Sequence, residues 1–401
     1  MNEHIPPDFQ VPGFLAAGIA AGIKKTQVKD FALLYSEEPA AAAGVFTANR
    51  VKAAPVLISR ERLKSGRGRA ILVNSGCANA CTGKKGIADG ESLSLRIASS
   101  LKIDPREVLL ASTGVIGKPL PLEVMEKALP SLVASLSAQG LADAAQAIMT
   151  TDTKPKAAIS RGRVNGEEVT LAGIAKGAGM ISPRMATLLV FVLTDACISA
   201  GALRKALKEG VQGSFNRISV DGDMSTNDTL LILANGRAQN REILPGTFGF
   251  KKFSSLLDGL LLALAKKTVA DGEGVTKVVQ IVVEGARTAS EAEKAIRAVA
   301  NSPLVKTAFF GEDANWGRIL CAAGYSGVPL DPDRVDIFFD DVQVVRQGQG
   351  VGPETEAPST AVMKKGEYTV RIHLHRGKKR AFLFTTDFSF DYVKINASYR
   401  S

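Results

Sequence analysis

An α/β (α+β) fold with a smaller C-terminal domain is the class this sequence predicts, and two observations carry the prediction. Through residue 284, short apolar strands interleave with stretches of helical period. From Val335 onward the texture turns strongly to the alternation of strands. The division is placed after the strand ending near Glu284, giving a larger domain of residues 1–284 and a smaller one of residues 285–401. With 401 residues the chain can build more than one core.

Residues 69–73 read as a buried strand running into the loop Asn74-Ser75-Gly76-Cys77-Ala78-Asn79. Residues 91–101 carry apolar side chains at helical spacing, and residues 108–111 form a second strand that ends in the loop of residues 112–117. Pro130 should break the helical stretches flanking it, because it lacks an amide hydrogen and its ring crowds the carbonyl four residues back. An alanine-rich helix ends at Met149, ahead of Thr150-Thr151-Asp152-Thr153. Next comes a glycine run, Lys176-Gly177-Ala178-Gly179, and then the apolar strand of residues 188–193. A helix over residues 201–210 follows, and an amphipathic helix over about 250–269. The polar loop Asp271-Gly272-Glu273-Gly274 leads into a strand at 278–283, and Ser290 with Glu293 fits a capping box for the next helix. Residues 335–345, 367–376 and 381–384 supply the later strands, with a Gly/Pro-rich connector at 347–358.

Composition narrows the function. Hydrophobic content of 45% with 22% charged residues is that of an ordinary globular protein. The net charge of +10 admits an acidic metabolite, but aromatics are only 6% and no basic tract is interleaved with them, so nucleic acid is not expected as a partner. The N-terminal apolar run, residues 13–23, is too short to span a bilayer and ends in Lys24-Lys25, the reverse of a secretory signal. A cytoplasmic location without membrane partner is the expectation. Cys77, Cys81, Cys197 and Cys321 make neither a disulfide framework nor a zinc set and read as small buried thiols. Three histidines leave almost no room for a His-based triad, and His373 and His375 share a strand face without a carboxylate pattern beside them.

Thr187 offers another activating base. It stands between the glycine-rich loop and an uninterrupted apolar strand. A threonine hydroxyl is a poor nucleophile without an adjacent base, and cutting the chain just before it frees its own amine for that task. Gly177 and Gly179 allow the backbone conformations that a strained scissile bond needs. Lys176 can meet a carboxylate or polarise a carbonyl, and the turn Thr113-Gly114 can donate to a developing oxyanion. The loop Asp221 to Asp228 has acidic residues at calcium-loop positions but lacks the sixth-position glycine and the twelfth-position glutamate, so it reads as a hydrogen-bonded polar loop. Gly348-Gln349-Gly350-Val351-Gly352 has the wrong glycine spacing for a dinucleotide and is followed by Pro353.

The block from Lys176 through Leu189, with Thr113-Gly114, Thr150 to Thr153, Ser214 to Thr229, Gly311 to Arg318 and the terminal Tyr392 to Ser401, resembles the ornithine acetyltransferase family end to end. This is the glutamate N-acetyltransferase of the cyclic arginine pathway. The resemblance implies layered sheets flanked by helices, of the ornithine acetyltransferase/aminopeptidase-esterase type, with residues 1–284 as the catalytic domain. It implies self-cleavage between Ala186 and Thr187, and transfer of acetyl from N2-acetyl-L-ornithine to L-glutamate through acetyl-Thr187. Thr113 and Gly114 would then form the oxyanion hole, while Thr153, Lys176, Thr187, Glu273, Asn396 and Ser401 line the substrate pocket. No metal or organic cofactor is implied, acetyl-CoA stays open as a second donor, and the cleaved chains would assemble as α₂β₂ or larger. Ala178 and Arg184 depart from the residues relatives often carry, Ser and Asn. A competing reading is an N-terminal-nucleophile aminopeptidase or amidase, which would pass the acyl group to water.

Overall fold

The computed structural model describes residues 5–182 and 188–398, and the chain divides into two compact units. Met1–Asn216 and Asp223–Thr268 form the first; Arg217–Gly222 and Val269–Tyr399 form the second.

The first unit is built on strands β1 (Phe14–Ile19), β2 (Phe31–Phe46), β3 (Arg67–Cys77), β4 (Val108–Val115), β5 (Lys156–Val164), β6 (Glu167–Lys176), β7 (Leu189–Thr194) and β8 (Thr229–Ala234). They hydrogen-bond in the order β4-β3-β2-β8-β7-β6-β5, with β1 also on β2. The sixteen-residue β2 carries an irregularity between Tyr35 and Ala40. Before it, β2 pairs with β1 and β3; after it, with β3 only at Ala40 and Ala41 and with β8 from Ala41 to Phe46. The ladder folds over at that point into two layers facing each other across one core. Ile71, Val73, Leu109 and Ala111 from β3 and β4 share this core with Ile174, Leu189, Phe191, Leu193, Leu231 and Leu233 from the other layer. Strand alternation sends their neighbours Ala70, Leu72, Val108 and Leu110 the opposite way. There they meet Leu93 and Ile97 of α2 (Gly83–Leu101) and Met125, Leu129 and Leu132 of α3 (Leu122–Ala134), which follow α1 (Ala54–Arg62).

Helix α4 (Leu141–Ala147) adds Leu141, Ala144 and Ala145 to the core between the layers, and α5 (Ala200–Gly213) precedes the long α6 (Phe248–Val269). Gly173 in β6 lets α6 approach closely, since a Cβ there would lie 2.7 Å from Leu264. The arrangement is the layered sheets flanked by helices that the sequence led us to expect. Pro130 does not break α3 as expected. It lies on the exposed side, where water can satisfy the Glu126 carbonyl that loses its donor.

The second unit has β9 (Val278–Ala286), β10 (Asp336–Phe339), β11 (Val342–Arg346), β12 (Gln349–Gly350), β13 (Glu367–His373) and β14 (Lys379–Thr386), in the order β12-β11-β10-β13-β9-β14. Its helices are α7 (Ala289–Ala300), α8 (Pro303–Phe310), α9 (Trp316–Gly324), α10 (Glu356–Met363) and α11 (Phe390–Ser398). The boundary expected after 284 therefore falls earlier, at Val269. Strand β9 lies between β13, parallel to it, and β14, antiparallel, so its hydrogen bonds assign it to the later domain. The cap of α7 also differs: Thr288 Oγ1 accepts the Glu291 amide at 3.1 Å, and Glu291 accepts from the Arg287 amide. Of the four expected buried thiols only Cys77 is buried; Cys81 and Cys321 are exposed. The carboxylate missing from the local histidine pattern comes from β10, where Asp336 lies 2.7 Å from His375 Nε2.

Candidate active site

Thr113 and Gly114 stand where the parallel strands β3 and β4 end together, opposite Ser75 and Gly76. Gly114 has φ +127°, and a Cβ there would come within 2.4 Å of the Gly76 carbonyl carbon, so only glycine fits. Side chains pin this turn from two sides. Ser112 Oγ donates to Asn74 Oδ1 at 2.6 Å, and Asn74 Nδ2 to the Cys77 carbonyl at 2.8 Å. Asn227 Nδ2 donates to the carbonyls of Ala78 and Ser112, at 2.7 and 2.8 Å. Strand β4 thus runs through residues expected to be loop, because the glycine pair at 76 and 114 keeps the ladder going.

Lys176 ends β6 opposite Leu189, the first residue of β7, and Leu189 is opposite Thr229, the first of β8. The buried Lys176 donates from Nζ to Thr113 Oγ1 at 3.2 Å, uniting two of the sequence-nominated residues. Beside it lies Asp152, also buried, which accepts from the Lys156 ammonium, the Gly177 amide at 2.7 Å and the Thr150 amide at 2.9 Å. Burial by itself would raise the Asp152 pKa. Lys156, Lys176 and the hydrogen bonds from Lys156 and Thr150 outweigh it and hold the carboxyl well below the usual carboxylate range. Thr153 is exposed, next to Asp152. Within the glycine run a left-handed backbone falls on Met180, φ +56°, rather than on the expected Gly179.

Asp228 precedes β8 and accepts the Leu188 amide hydrogen at 3.1 Å. Its other oxygen, Oδ2, is buried with no hydrogen-bond partner among the described residues, an arrangement that costs roughly 1–3 kcal/mol. Burial pushes this carboxyl well above its ordinary pKa, opposed in part by the Leu188 amide, the Thr47 hydroxyl and Lys176. Sequence reasoning had set aside the loop containing Asp228 and gave Asp152 no role. The polar character of both loops was visible; their facing partners, dozens of residues away in the chain, were not. Thr187 and Ala186 lie outside the described residues, as does Ser401.

In the second unit, Glu273 is buried and accepts from Asn396 Nδ2 at 2.8 Å, joining another nominated pair. Gly274 makes the approach possible: at φ +66°, a Cβ would lie 2.4 Å from the Tyr392 nitrogen of α11. Ser389 Oγ donates to the Gly274 carbonyl. Lys306, also of this unit, is fully buried, with Nζ donating to Thr385 Oγ1 at 3.2 Å and Thr386 Oγ1 at 3.0 Å. Desolvation lowers its pKa to about 7 in spite of Asp221 and Asp387.

Comparison with known proteins gives a concordant result. The model of the ArgJ family matches residues 15–401. The chain is 52% identical to the arginine biosynthesis bifunctional protein ArgJ of Geobacter sulfurreducens, over 98% of this chain and all of that protein. It is 50% identical to the protein of the same name from Syntrophotalea carbinolica, with the same coverage. Among solved structures, arginine biosynthesis bifunctional protein ArgJ from Bacillus halodurans matches with TM-score 0.50 and 38% identity, covering 52% of this chain and 98% of that one.

Proposed function

The chain belongs to the ArgJ family, and on that premise we propose that it transfers acetyl from N2-acetyl-L-ornithine to L-glutamate through an ester on Thr187. It is an acetyltransferase of arginine biosynthesis, and its second activity, as the relatives' bifunctional name suggests, is acetylation of glutamate by acetyl-CoA. The chain cuts itself between Ala186 and Thr187. The new amine takes the proton of its own hydroxyl as the oxygen attacks the acetyl carbonyl, and delivers it to the ornithine nitrogen as the C–N bond breaks. Glutamate then takes the acetyl group by the reverse steps. Thr113 and the Gly114 amide meet the oxyanion, with about 3 kcal/mol of barrier lowering per donor. Lys176 polarises the Thr113 hydroxyl or pairs with a substrate carboxylate. Thr153, Glu273, Asn396 and Ser401 hold the amino acid, Glu273 through an amino group. These groups supply nucleophile, base and oxyanion donors, so the reaction needs no metal or organic cofactor.

The observation that carries the reading is the convergence of Thr113, Lys176, Asp152 and Asp228 on the start of β7, next to Thr187 in the chain. The Bacillus halodurans relative adds support: nearly all of that solved chain aligns, yet it spans a share of this one comparable with residues 187–401. The cleaved chains assemble as α₂β₂ or larger, and the enzyme works in the cytoplasm; among the described residues no helix is long and apolar enough to cross a membrane.

Intact-mass analysis of the purified protein tests the cleavage, with two fragments expected. A paired assay gives glutamate as acceptor and either N-acetylornithine or acetyl-CoA as donor. Acetylglutamate should form with both, and free acetate as the main product would instead favour an amidase.

A further inference from the structure

Three ammonium groups gather about the buried carboxylate Asp152. Lys156 is in contact with it, and Lys176 and Lys24 both feel its charge. Lys156 and Lys176 belong to β5 and β6, whereas Lys24 comes from the loop between β1 and β2. The transfer reaction as described gives Lys24 no task.

The loop is shaped to present this lysine. Asp30, fully buried, accepts the Ala21 amide through Oδ1 at 2.7 Å and the Lys24 amide through Oδ2 at 2.8 Å. The Ser75 amide donates to the Asp30 carbonyl at 2.9 Å, which ties the loop to β3 one residue before Gly76. The Lys24 stem packs on Gly76 itself, where a Cβ would lie 3.0 Å from Lys24 Cγ. Gly76 is opposite Gly114, and the neighbouring Thr113 receives the Lys176 ammonium. Two lysines from distant parts of the chain thus meet at the turn that carries the proposed oxyanion donor.

Lys24 Nζ donates to the Met149 carbonyl at 2.6 Å and, more weakly, to the Lys29 carbonyl at 3.4 Å. The Met149 carbonyl and the Thr150 amide are two ends of one peptide group, and that amide donates to Asp152 Oδ2 at 2.9 Å. One peptide dipole therefore links Lys24 to Asp152. Both partners of the Lys24 ammonium are neutral carbonyls, and no carboxylate lies within ion-pair distance of it among the described residues. Burial pushes its pKa down, while Asp30 and Lys176 act on it in opposite directions. Like charges drawn together in a half-buried place repel, and an arriving anion relieves them.

Resting on the acetyl-transfer reading of this site, we propose that Lys24 is a specificity residue for the amino-acid substrates. With Lys176 it draws the α-carboxylate of N-acetylornithine or glutamate to the Gly76–Gly114 end of the β3–β4 ladder. A carboxylate is the ligand this chemistry selects: the ammoniums offer hydrogens and positive charge, and Asp152 is already committed to Lys156 and to the amides of Thr150 and Gly177. Lys24 acts in binding alone, and no proton of the transfer passes through it.

Ornithine and putrescine differ by one carboxylate, so the pair isolates the contact. Isothermal titration calorimetry of each onto wild type, Lys24→Met and Lys24→Gln reads it without turnover. The Met variant keeps the stem on Gly76; the Gln variant keeps a donor for the Met149 carbonyl; both remove the charge. In both, ornithine should bind about 10- to 100-fold more weakly and putrescine as before. KM for N-acetylornithine should rise by the same factor with kcat little changed. A lysine that only braces the loop would weaken both ligands alike.

A wild type that does not transfer acetyl from N-acetylornithine overturns the acetyl-transfer reading and this proposal with it. A wild type that does, whose variants bind ornithine normally or lose ornithine and putrescine equally, overturns this proposal alone. So does a wild type that holds ornithine no more tightly than putrescine.

Discussion

Gly114 has no room for even a methyl group, because the Gly76 backbone occupies that space. Gly114→Ala must move the turn that carries the proposed oxyanion donor, and kcat should fall by about 100-fold or more with the fold retained, read by steady-state kinetics beside circular dichroism. Asp152 makes a different demand. Its partner Lys156 is buried with it, so Asp152→Asn removes the anion of a buried ion pair and should cost about 3–5 kcal/mol in urea unfolding at pH 7. The folded-state pKa of Asp152 is depressed, so its stabilisation is present above the unfolded value of about 4 and is lost as pH falls through the folded one. The gap between wild type and variant should narrow in acid. Lys306 shows the alkaline counterpart: with a folded pKa near 7 against 10.5, the unfolded chain binds more protons between those values, and stability rises with pH across that window. Lys306→Met should remove this dependence, read as melting temperatures at about pH 6.5 and 9.5. At this scale the sequence revealed the groups with unusual local chemistry, such as Lys176 in its glycine run. It concealed Asp152 and Asp228, whose meaning comes from partners far along the chain.

Among the elements, those with a local signature were legible. Strands β3, β4, β7 and β13 have apolar runs or alternation that backbone geometry converts directly into buried faces. Helix α2 was seen only in its C-terminal half, because Gly83, Gly86 and Gly90 dilute its first turns. The domain boundary was misplaced for a related reason: nothing within residues 278–286 states that the hydrogen-bonding partners of β9 are residues 367–373 and 379–386. Helix α3 tests how much Pro130 costs where it is tolerated. Pro130→Ala restores a backbone donor on an exposed face and should raise stability by about 1–3 kcal/mol, with transferase activity unchanged, as measured by the urea midpoint.

At the scale of the whole molecule, the layered plan emerged from resemblance and not from periodicity, since no local pattern announces that β2 will fold one ladder onto itself. The position of the proposed cut within that plan has a physical result. Strands β6 and β7 pair from Lys176 opposite Leu189 to Leu171 opposite Thr194, one on each side of the cut. Both lie inside the sheet, between β5 and β8. The two fragments should therefore separate on a denaturing gel yet travel as one species in native size-exclusion chromatography.

Before the cut, the meeting of β6 and β7 is intramolecular, at an effective concentration on the order of millimolar. Afterwards the same meeting requires two independent polypeptides to find each other at cellular dilution. The proposed cut would thus erase the tether that guided assembly: a cleaved enzyme once melted would have no quick way home, and its working lifetime would be governed by how slowly it comes apart.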